Sequence, residues 1–133
     1  MRHRRVQMVD EAEGLIKEGR LEEAHCILNR VELASRYDEI GERANFLSAT
    51  CLEKLDRAQE ASYEYATYLA KFPAGTHSGE SKASFRRLFQ RFGPFDYQKI
   101  QREDPCGFAM VEKLLEKLGS ESRRRHEPGL FTS

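Results

Sequence analysis

The side chains that could bind a metal or act as nucleophiles are few and scattered along this 133-residue chain. Its cysteines and histidines are Cys26, Cys51, Cys106, His3, His25, His77 and His126. No two cysteines stand at C-x-x-C spacing, and no set of cysteines and histidines has the spacing of a zinc site. We therefore predict no metal site and no disulfide framework. We expect each cysteine to act as a small buried apolar residue in a reducing compartment.

Motifs that position a catalytic nucleophile or a phosphate are also missing from the sequence. It contains no glycine-rich phosphate loop, no G-x-S-x-G and no H-E-x-x-H, and Cys51 has no histidine at a motif spacing. A catalytic site needs convergent groups, and the sequence does not show them. We predict neither an enzyme nor a bound cofactor.

Charge is balanced overall but unevenly distributed along the chain. The net charge is zero, yet residues 6–64 carry 7 basic and 14 acidic residues, while residues 65–133 carry 12 basic and 8 acidic residues. This asymmetry could steer a partner, although ordinary solvated helix faces also explain it. No apolar run reaches the roughly 18 residues of a membrane span, and no signal peptide is visible. We therefore expect a cytoplasmic protein, or a periplasmic one if a signal peptide has been removed.

The spacing of apolar residues predicts an all-α chain of five long helices and a shorter sixth, with no strand. The last helix should begin at Asp104 and Pro105 and end at Gly119, which suit a helix start and a helix stop. Residues 1–5 are expected to form a basic extension, residues 6–119 the helical domain and residues 120–133 a flexible tail. The stretch 95–103 is ambiguous. The five long helices are predicted at 6–18, 21–35, 39–55, 58–71 and 79–91.

An internal repeat connects the first two helix pairs. Seven positions recur 37 residues later, and in each copy two alanines stand 12 residues apart. Small residues at this spacing let two antiparallel helices approach closely, and the larger residues fill the space on either side. Such pairs must stack to bury both faces. The matched sets are Ala12, Leu15, Gly19, Leu21, Ala24, Leu28 and Val31, and Ala49, Leu52, Asp56, Ala58, Ala61, Tyr65 and Tyr68.

The repeat resembles the tetratricopeptide repeat, whose unit is about 34 residues. The run from Ala12 to Ala24 is similar to the central motif of that family, and Pro73 stands where such repeats usually end. The likeness covers about residues 5–92. It departs from the family in its period of 37, in Arg36 where proline is expected, and in a third unit that keeps Ala83 and then becomes rich in phenylalanine. The resemblance implies a right-handed stack of antiparallel helix hairpins, about six helices in all, with a C-terminal capping helix.

A shorter likeness concerns the run from Tyr68 to Pro73 with Ser78 and Ala83. It is similar to repeats of bacterial envelope assembly lipoproteins and of the Tol–Pal accessory protein, and it implies a bacterial origin.

The tetratricopeptide resemblance implies a non-catalytic adaptor or scaffold that binds a peptide or partner helix on its concave face. Two alternatives remain open: a self-associating structural subunit, and a nucleic-acid-associated protein that uses arginine clusters, one of which stands near Phe89 and Phe92. The clustered residues are Arg2, Arg4, Arg5, Arg86, Arg87, Arg91, Arg123, Arg124 and Arg125. We favour nucleic acid less because those phenylalanines share an apolar stripe with Phe85 and Leu88. The concave positions implied by the resemblance are Val9, Glu13, Ile16, Lys17, Arg43, Phe46, Thr50, Glu53, Lys54, Arg86 and Gln90.

Overall fold

Helices make up the regular secondary structure of the computed structural model, which describes residues 2–35 and 37–126. No strand occurs within those two ranges. The predicted all-α fold is confirmed, although the described part holds seven helices where six were expected. They are α1 (Arg2–Lys17), α2 (Leu21–Ala34), α3 (Glu39–Lys54), α4 (Ala58–Lys71), α5 (Ser78–Phe92), α6 (Gln98–Glu103) and α7 (Pro105–His126).

The sequence repeat is also a structural repeat. The bounds of α3 and α4 lie 37 residues after those of α1 and α2 at all four ends. Helices α1 and α2 form the first hairpin, α3 and α4 form the second, and α1 packs directly against α3. The four repeat alanines, Ala12, Ala24, Ala49 and Ala61, are fully buried, as a close helix crossing requires. The chain is therefore a stack of helix hairpins.

The two tight turns of the hairpins have matching backbone geometry. Gly19 has φ of +80° and Asp56 has φ of +61°, so both occupy the left-handed region. The amide after each of them donates a hydrogen bond five residues back, from Arg20 to Leu15 at 2.9 Å and from Arg57 to Leu52 at 3.0 Å. Glycine adopts this conformation without steric cost, and aspartate tolerates it better than most residues do.

Tyrosines in the second hairpin replace aliphatic residues of the first and connect α4 to the following segment. The Tyr68 hydroxyl donates to the Glu42 carboxylate at 2.6 Å and accepts from the His77 amide at 2.8 Å. The same Glu42 oxygen accepts from the Thr76 amide at 2.7 Å. Burial and the Glu42 hydrogen bond raise the pKa of Tyr68 to about 12, so its hydroxyl remains a donor. This network fixes the α4–α5 connection against α3.

The third unit departs from the hairpin pattern. Its buried face consists of Ser81, Phe85 and Leu88, whereas Ala83, expected to continue the small-residue pattern, is exposed. Two repeat lengths after Ala12, the chain has Arg86 in place of a small residue. Helix α5 packs against α4 and against the long α7. Phe92, expected on the buried stripe, is 51% exposed.

The predicted end of the last helix at Gly119 is wrong. Helix α7 continues to His126, and Gly119 is buried against the ring of Phe89. A Cβ atom at position 119 would lie 3.1 Å from that ring, so glycine here allows close packing and does not end the helix. Of the predicted flexible tail, residues 120–126 are helical and residues 127–133 lie outside the described part of the chain.

The predicted N-terminal boundary is also wrong. Residues 2–5 are the first turn of α1 and not an extension before it. The Arg5 guanidinium donates to the Ser35 hydroxyl at 2.8 Å and to the Asp38 carboxylate at 2.9 Å. These bonds hold the start of α1 against the connection between the two hairpins.

The cysteines only partly follow the prediction. Cys51 is buried, and burial raises the pKa of its thiol to about 11, so it stays protonated at neutral pH. Cys26 and Cys106 are exposed free thiols, which contradicts their predicted place in the core.

Candidate functional site

The first helices of the three units, α1, α3 and α5, are connected by ion pairs across their exposed sides. The Arg43 guanidinium on α3 bonds the Glu13 carboxylate on α1 and lies 3.1 Å from the Asp10 carboxylate. Arg87 on α5 bonds the Glu53 carboxylate on α3. Glu53 also accepts a 2.8 Å hydrogen bond from the Tyr65 hydroxyl, which fixes its position. We call this surface the α1–α3–α5 face.

Three of the predicted binding residues, Glu13, Arg43 and Glu53, take part in these ion pairs, whereas Val9 does not reach the surface. Val9 is fully buried in the core of the first hairpin, so its predicted role as an apolar anchor is wrong. Ile16, one of the other predicted anchors, is half-buried and packs against that same core. Of the four predicted positions on α1, Val9 therefore points into the protein, and Ile16 is only partly accessible.

Phe46 is held by neighbouring rings. It stacks on the His77 ring with centroids 4.1 Å apart and meets Tyr65 and Tyr68 edge-on. The Thr50 hydroxyl donates to the Phe46 carbonyl at 3.0 Å, within its own helix. Phe46 is half-buried, so it presents only part of its ring to a partner.

On α5, the residue that contacts α3 differs from the two binding residues that were predicted there. The Gln90 amide donates to the Ser122 carbonyl of α7 at 3.4 Å, so Gln90 contacts the C-terminal helix and its predicted place on the face is wrong. Arg86 is half-exposed. Arg87, which was not predicted, is the α5 residue that reaches α3. It stands 37 residues after Thr50, so a second application of the repeat offset would have identified it.

That same offset also relates three cations in the sequence. Lys17, Lys54 and Arg91 follow one another at intervals of 37 residues, and all three are exposed. Arg91 was missed for the same reason as Arg87, because the repeat was aligned over two copies only. The guanidinium of Arg91 lies 5.0 Å from the centroid of the Phe92 ring, within the range of a cation–π contact.

A cleft of about 340 Å³ opens between the ends of α3 and α5. Leu88 and Phe92 supply its apolar wall, and Arg87 and Arg91 lie beside them. Glu53 and Asp56 line the opposite side. This cleft can accept a large apolar side chain with a negative group next to it.

A second group of polar side chains lies between the hairpins, where α2, α3 and α4 meet. The Glu32 carboxyl group on α2 lies beside the Glu64 carboxyl group on α4, and the two interact. Burial, together with the nearby Glu64 charge, raises the pKa of Glu32 far above its usual range, and burial also raises the pKa of Glu64. The Asn45 amide donates to the Glu64 backbone carbonyl at 3.3 Å. The pair therefore holds a proton at neutral pH.

Metal sites, membrane-spanning helices and arginine clusters are three further features to consider in the described part of the chain. Within residues 2–35 and 37–126, no group of three or more histidine, cysteine, aspartate or glutamate side chains could hold a metal ion. No helix in those ranges is long and apolar enough to span a membrane. Of the arginine clusters considered for nucleic acid, the side chains of Arg2, Arg124 and Arg125 lie outside what the structure describes.

Comparison of the chain with protein-family models, with curated proteins and with solved structures finds no match.

Proposed function

We propose that this protein is a non-catalytic adaptor or scaffold of the tetratricopeptide-repeat type that binds a segment of another protein across the α1–α3–α5 face. The supporting observation is the recurrence of face positions at 37-residue intervals on helices that ion pairs hold together. Lys17, Lys54 and Arg91 occupy one such position, and all three are exposed. Helical repeats that stack in this way present extended surfaces suited to a peptide or a partner helix.

The chemistry of the face favours an acidic segment with one large apolar side chain. The three cations would pair with carboxylates spaced along the segment, and the apolar side chain would enter the cleft beside Leu88 and Phe92. Glu13, Arg43 and Glu53 are already engaged in ion pairs within the chain, so we assign them to holding the helices in place. The three free cysteines favour a reducing compartment such as the cytoplasm.

Peptide selection tests this proposal and does not require an identified partner. A random peptide library displayed on phage is selected on the immobilised protein, and the affinity of the enriched peptides is then measured by calorimetry. We expect sequences rich in aspartate and glutamate around an aromatic or leucine residue. Lys54→Glu and Arg91→Glu should each weaken binding by roughly twofold to tenfold, because an exposed charge pair contributes up to about 1 kcal/mol.

The matched control is Lys113→Glu, which reverses an exposed charge on α7, away from the face. It should leave the affinity unchanged. If Lys113→Glu weakens binding as much as Lys54→Glu does, or if neither reversal on the face has an effect, the face is not the binding surface.

A further inference from the structure

A separate cleft of about 400 Å³ lies between the end of α5, residues 93–97 and α7. Four aromatic side chains line it, and successive ring centroids along the series are 6.1, 5.9 and 6.4 Å apart. The residues that line this cleft differ from those that line the cleft between α3 and α5. The two clefts are therefore distinct concave sites. The four rings, in series, are Phe89, Phe95, Tyr97 and Phe108.

Contacts with α4 hold two of these rings in place. The Tyr97 and Ser62 hydroxyl groups are joined by a hydrogen bond of 2.8 Å. The Phe108 ring lies nearly parallel to the Tyr63 ring, with centroids 6.4 Å apart and planes inclined by 12°. These contacts form the cleft before a ligand arrives, which reduces the entropy lost on binding.

The charged side chains of the cleft are distributed unevenly along α7. Glu112 stands one helical turn after Phe108, and Glu116 follows after about 6 Å of helix rise on the same side of the helix. Both carboxylates are exposed, and neither takes part in an ion pair with another described residue. Arg123 lies about 10 Å further along the helix, with its guanidinium 5.9 Å from the centroid of the Phe89 ring. The cleft thus has an acidic end beside Phe108 and a basic end beside Phe89.

A guanidinium group suits the acidic end in both charge and shape. It is planar and positively charged, and it can donate hydrogen bonds to carboxylates while its face stacks on an aromatic ring. The contact of Arg123 with Phe89 is an example of that stacking within this same cleft. The aliphatic stem of an arginine packs well on apolar surface, which the rings provide. An anionic ligand would be repelled by the two carboxylates.

We propose that the acidic end of this cleft binds an arginine side chain of a partner protein. The guanidinium pairs with the Glu112 and Glu116 carboxylates and lies against the Tyr97 and Phe108 rings. Arg123 repels the incoming cation from the other end and so determines which end it enters. This binding does not depend on the proposed function of the α1–α3–α5 face, because it uses a different cleft and a ligand of opposite charge.

Two model peptides test the proposal on the full chain. The protein is titrated with acetyl-Gly-Arg-Gly-amide and with the same peptide carrying citrulline, which keeps the shape of arginine and removes its charge. Amide shifts in NMR spectra should saturate at residues 108–120, and the arginine peptide should bind about fivefold more tightly or better. Equal affinity for the citrulline peptide, or no shift of these amides by the arginine peptide at about 20 mM, would overturn the proposal. A lysine peptide that binds as tightly as the arginine peptide would show that the cleft recognises charge alone, which would overturn the assignment to arginine.

Substitutions in the protein establish where the peptide binds. Glu112→Gln and Glu116→Gln should each weaken binding of the arginine peptide by about twofold to fivefold and leave the citrulline peptide unaffected, because each removes one exposed charge. Arg123→Gln should instead strengthen binding of the arginine peptide, because it removes a like charge. Glu11→Gln, at an exposed position on α1, is the matched control and should change nothing. Wild-type affinity in both glutamate variants, or weaker binding in Arg123→Gln, would show that arginine does not bind at this end of the cleft.

Discussion

At the scale of single residues, the carboxyl pair Glu32–Glu64 determines how the stability of the protein depends on pH. Glu32 keeps its proton in the folded state because ionisation would place a second negative charge beside Glu64 in a poorly solvated site. Lys71 favours the charged forms, but its effect is smaller than that of burial. Above pH 4.5, the ordinary value for a glutamate, the unfolded chain releases a proton that the folded chain retains.

Stability should therefore fall as the pH rises from about 5 to 8, because the folded state binds more protons than the unfolded state over this range. Glu32→Gln removes the ionisable group and keeps the shape of the side chain. We expect it to raise the free energy of unfolding at pH 8 by about 1–3 kcal/mol, because the folded wild type must retain a proton that the unfolded chain releases at this pH. The difference from wild type should shrink towards pH 5.

Urea unfolding at several pH values measures this effect. Glu11→Gln, which changes an exposed carboxyl group on α1, serves as the control and should leave the pH dependence as it is in wild type. A Glu32→Gln variant that is less stable than wild type at pH 8 would show that Glu32 is charged in the folded protein.

At the scale of elements, the connection between α4 and α5 shows how a loop is held by side chains of its neighbours. The Glu42 carboxylate and the Tyr68 hydroxyl bond the amides of Thr76 and His77, and they pass so close to Gly75 that a Cβ atom there would overlap both groups. The loop and the start of α5 therefore depend on a hydrogen-bond network that reaches back to α3.

Gly75→Ala should destabilise the protein by about 1–3 kcal/mol, because the added methyl group forces Glu42 and Tyr68 apart. Gly79→Ala is the matched control. Gly79 lies in the first turn of α5 with nothing within 4 Å of a built Cβ, so alanine should stabilise the helix by about 0.5–1 kcal/mol. Thermal unfolding followed by circular dichroism measures both changes. Equal effects of the two substitutions would mean that the loop adapts and that the network does not constrain it.

At the scale of the whole molecule, the hydrophobic core consists of two clusters that meet at α3. One joins the first hairpin to α3 and contains Val9, and the other joins the second hairpin to α5 and α7 and contains Leu115. In stacked repeats each unit contacts mainly its neighbours, so local stability can differ along the stack.

Val9→Ala should therefore raise amide exchange in α1 and α2 more than in α5 and α7, and Leu115→Ala should show the opposite pattern. Each should lower the free energy of unfolding by about 2–4 kcal/mol, because both remove methyl groups from a buried site. Hydrogen exchange followed by mass spectrometry resolves the regions. A uniform rise in exchange across all the helices in either variant would show that the two clusters unfold as one cooperative unit.

The helices of the first two units followed from the sequence because their causes are local. Apolar spacing, the alanines 12 residues apart and the turn positions Gly19 and Asp56 recur at one offset, and each acts within a single hairpin. The same reasoning identified α3 and α1 as helices of one face. It misassigned Val9, Gln90 and Gly119, because whether a side chain on a half-apolar helix is buried depends on the helix that packs against it.

A C-terminal capping helix was predicted, but only the tertiary structure shows how α7 packs. Its packing depends on contacts such as those of Gly119 with Phe89 and Gln90 with Ser122, which join residues about 30 positions apart. Separate helices are likewise connected by two ion pairs, Arg43 with Glu13 and Arg87 with Glu53. The carboxyl pair Glu32–Glu64, which holds a proton, also joins two helices. Local sequence thus determined the repeated hairpin, because its turn and its crossing lie within about 35 residues. The surfaces and the buried charges were decided when the hairpins packed, because solvent exposure and electrostatic environment are properties of the assembled helices.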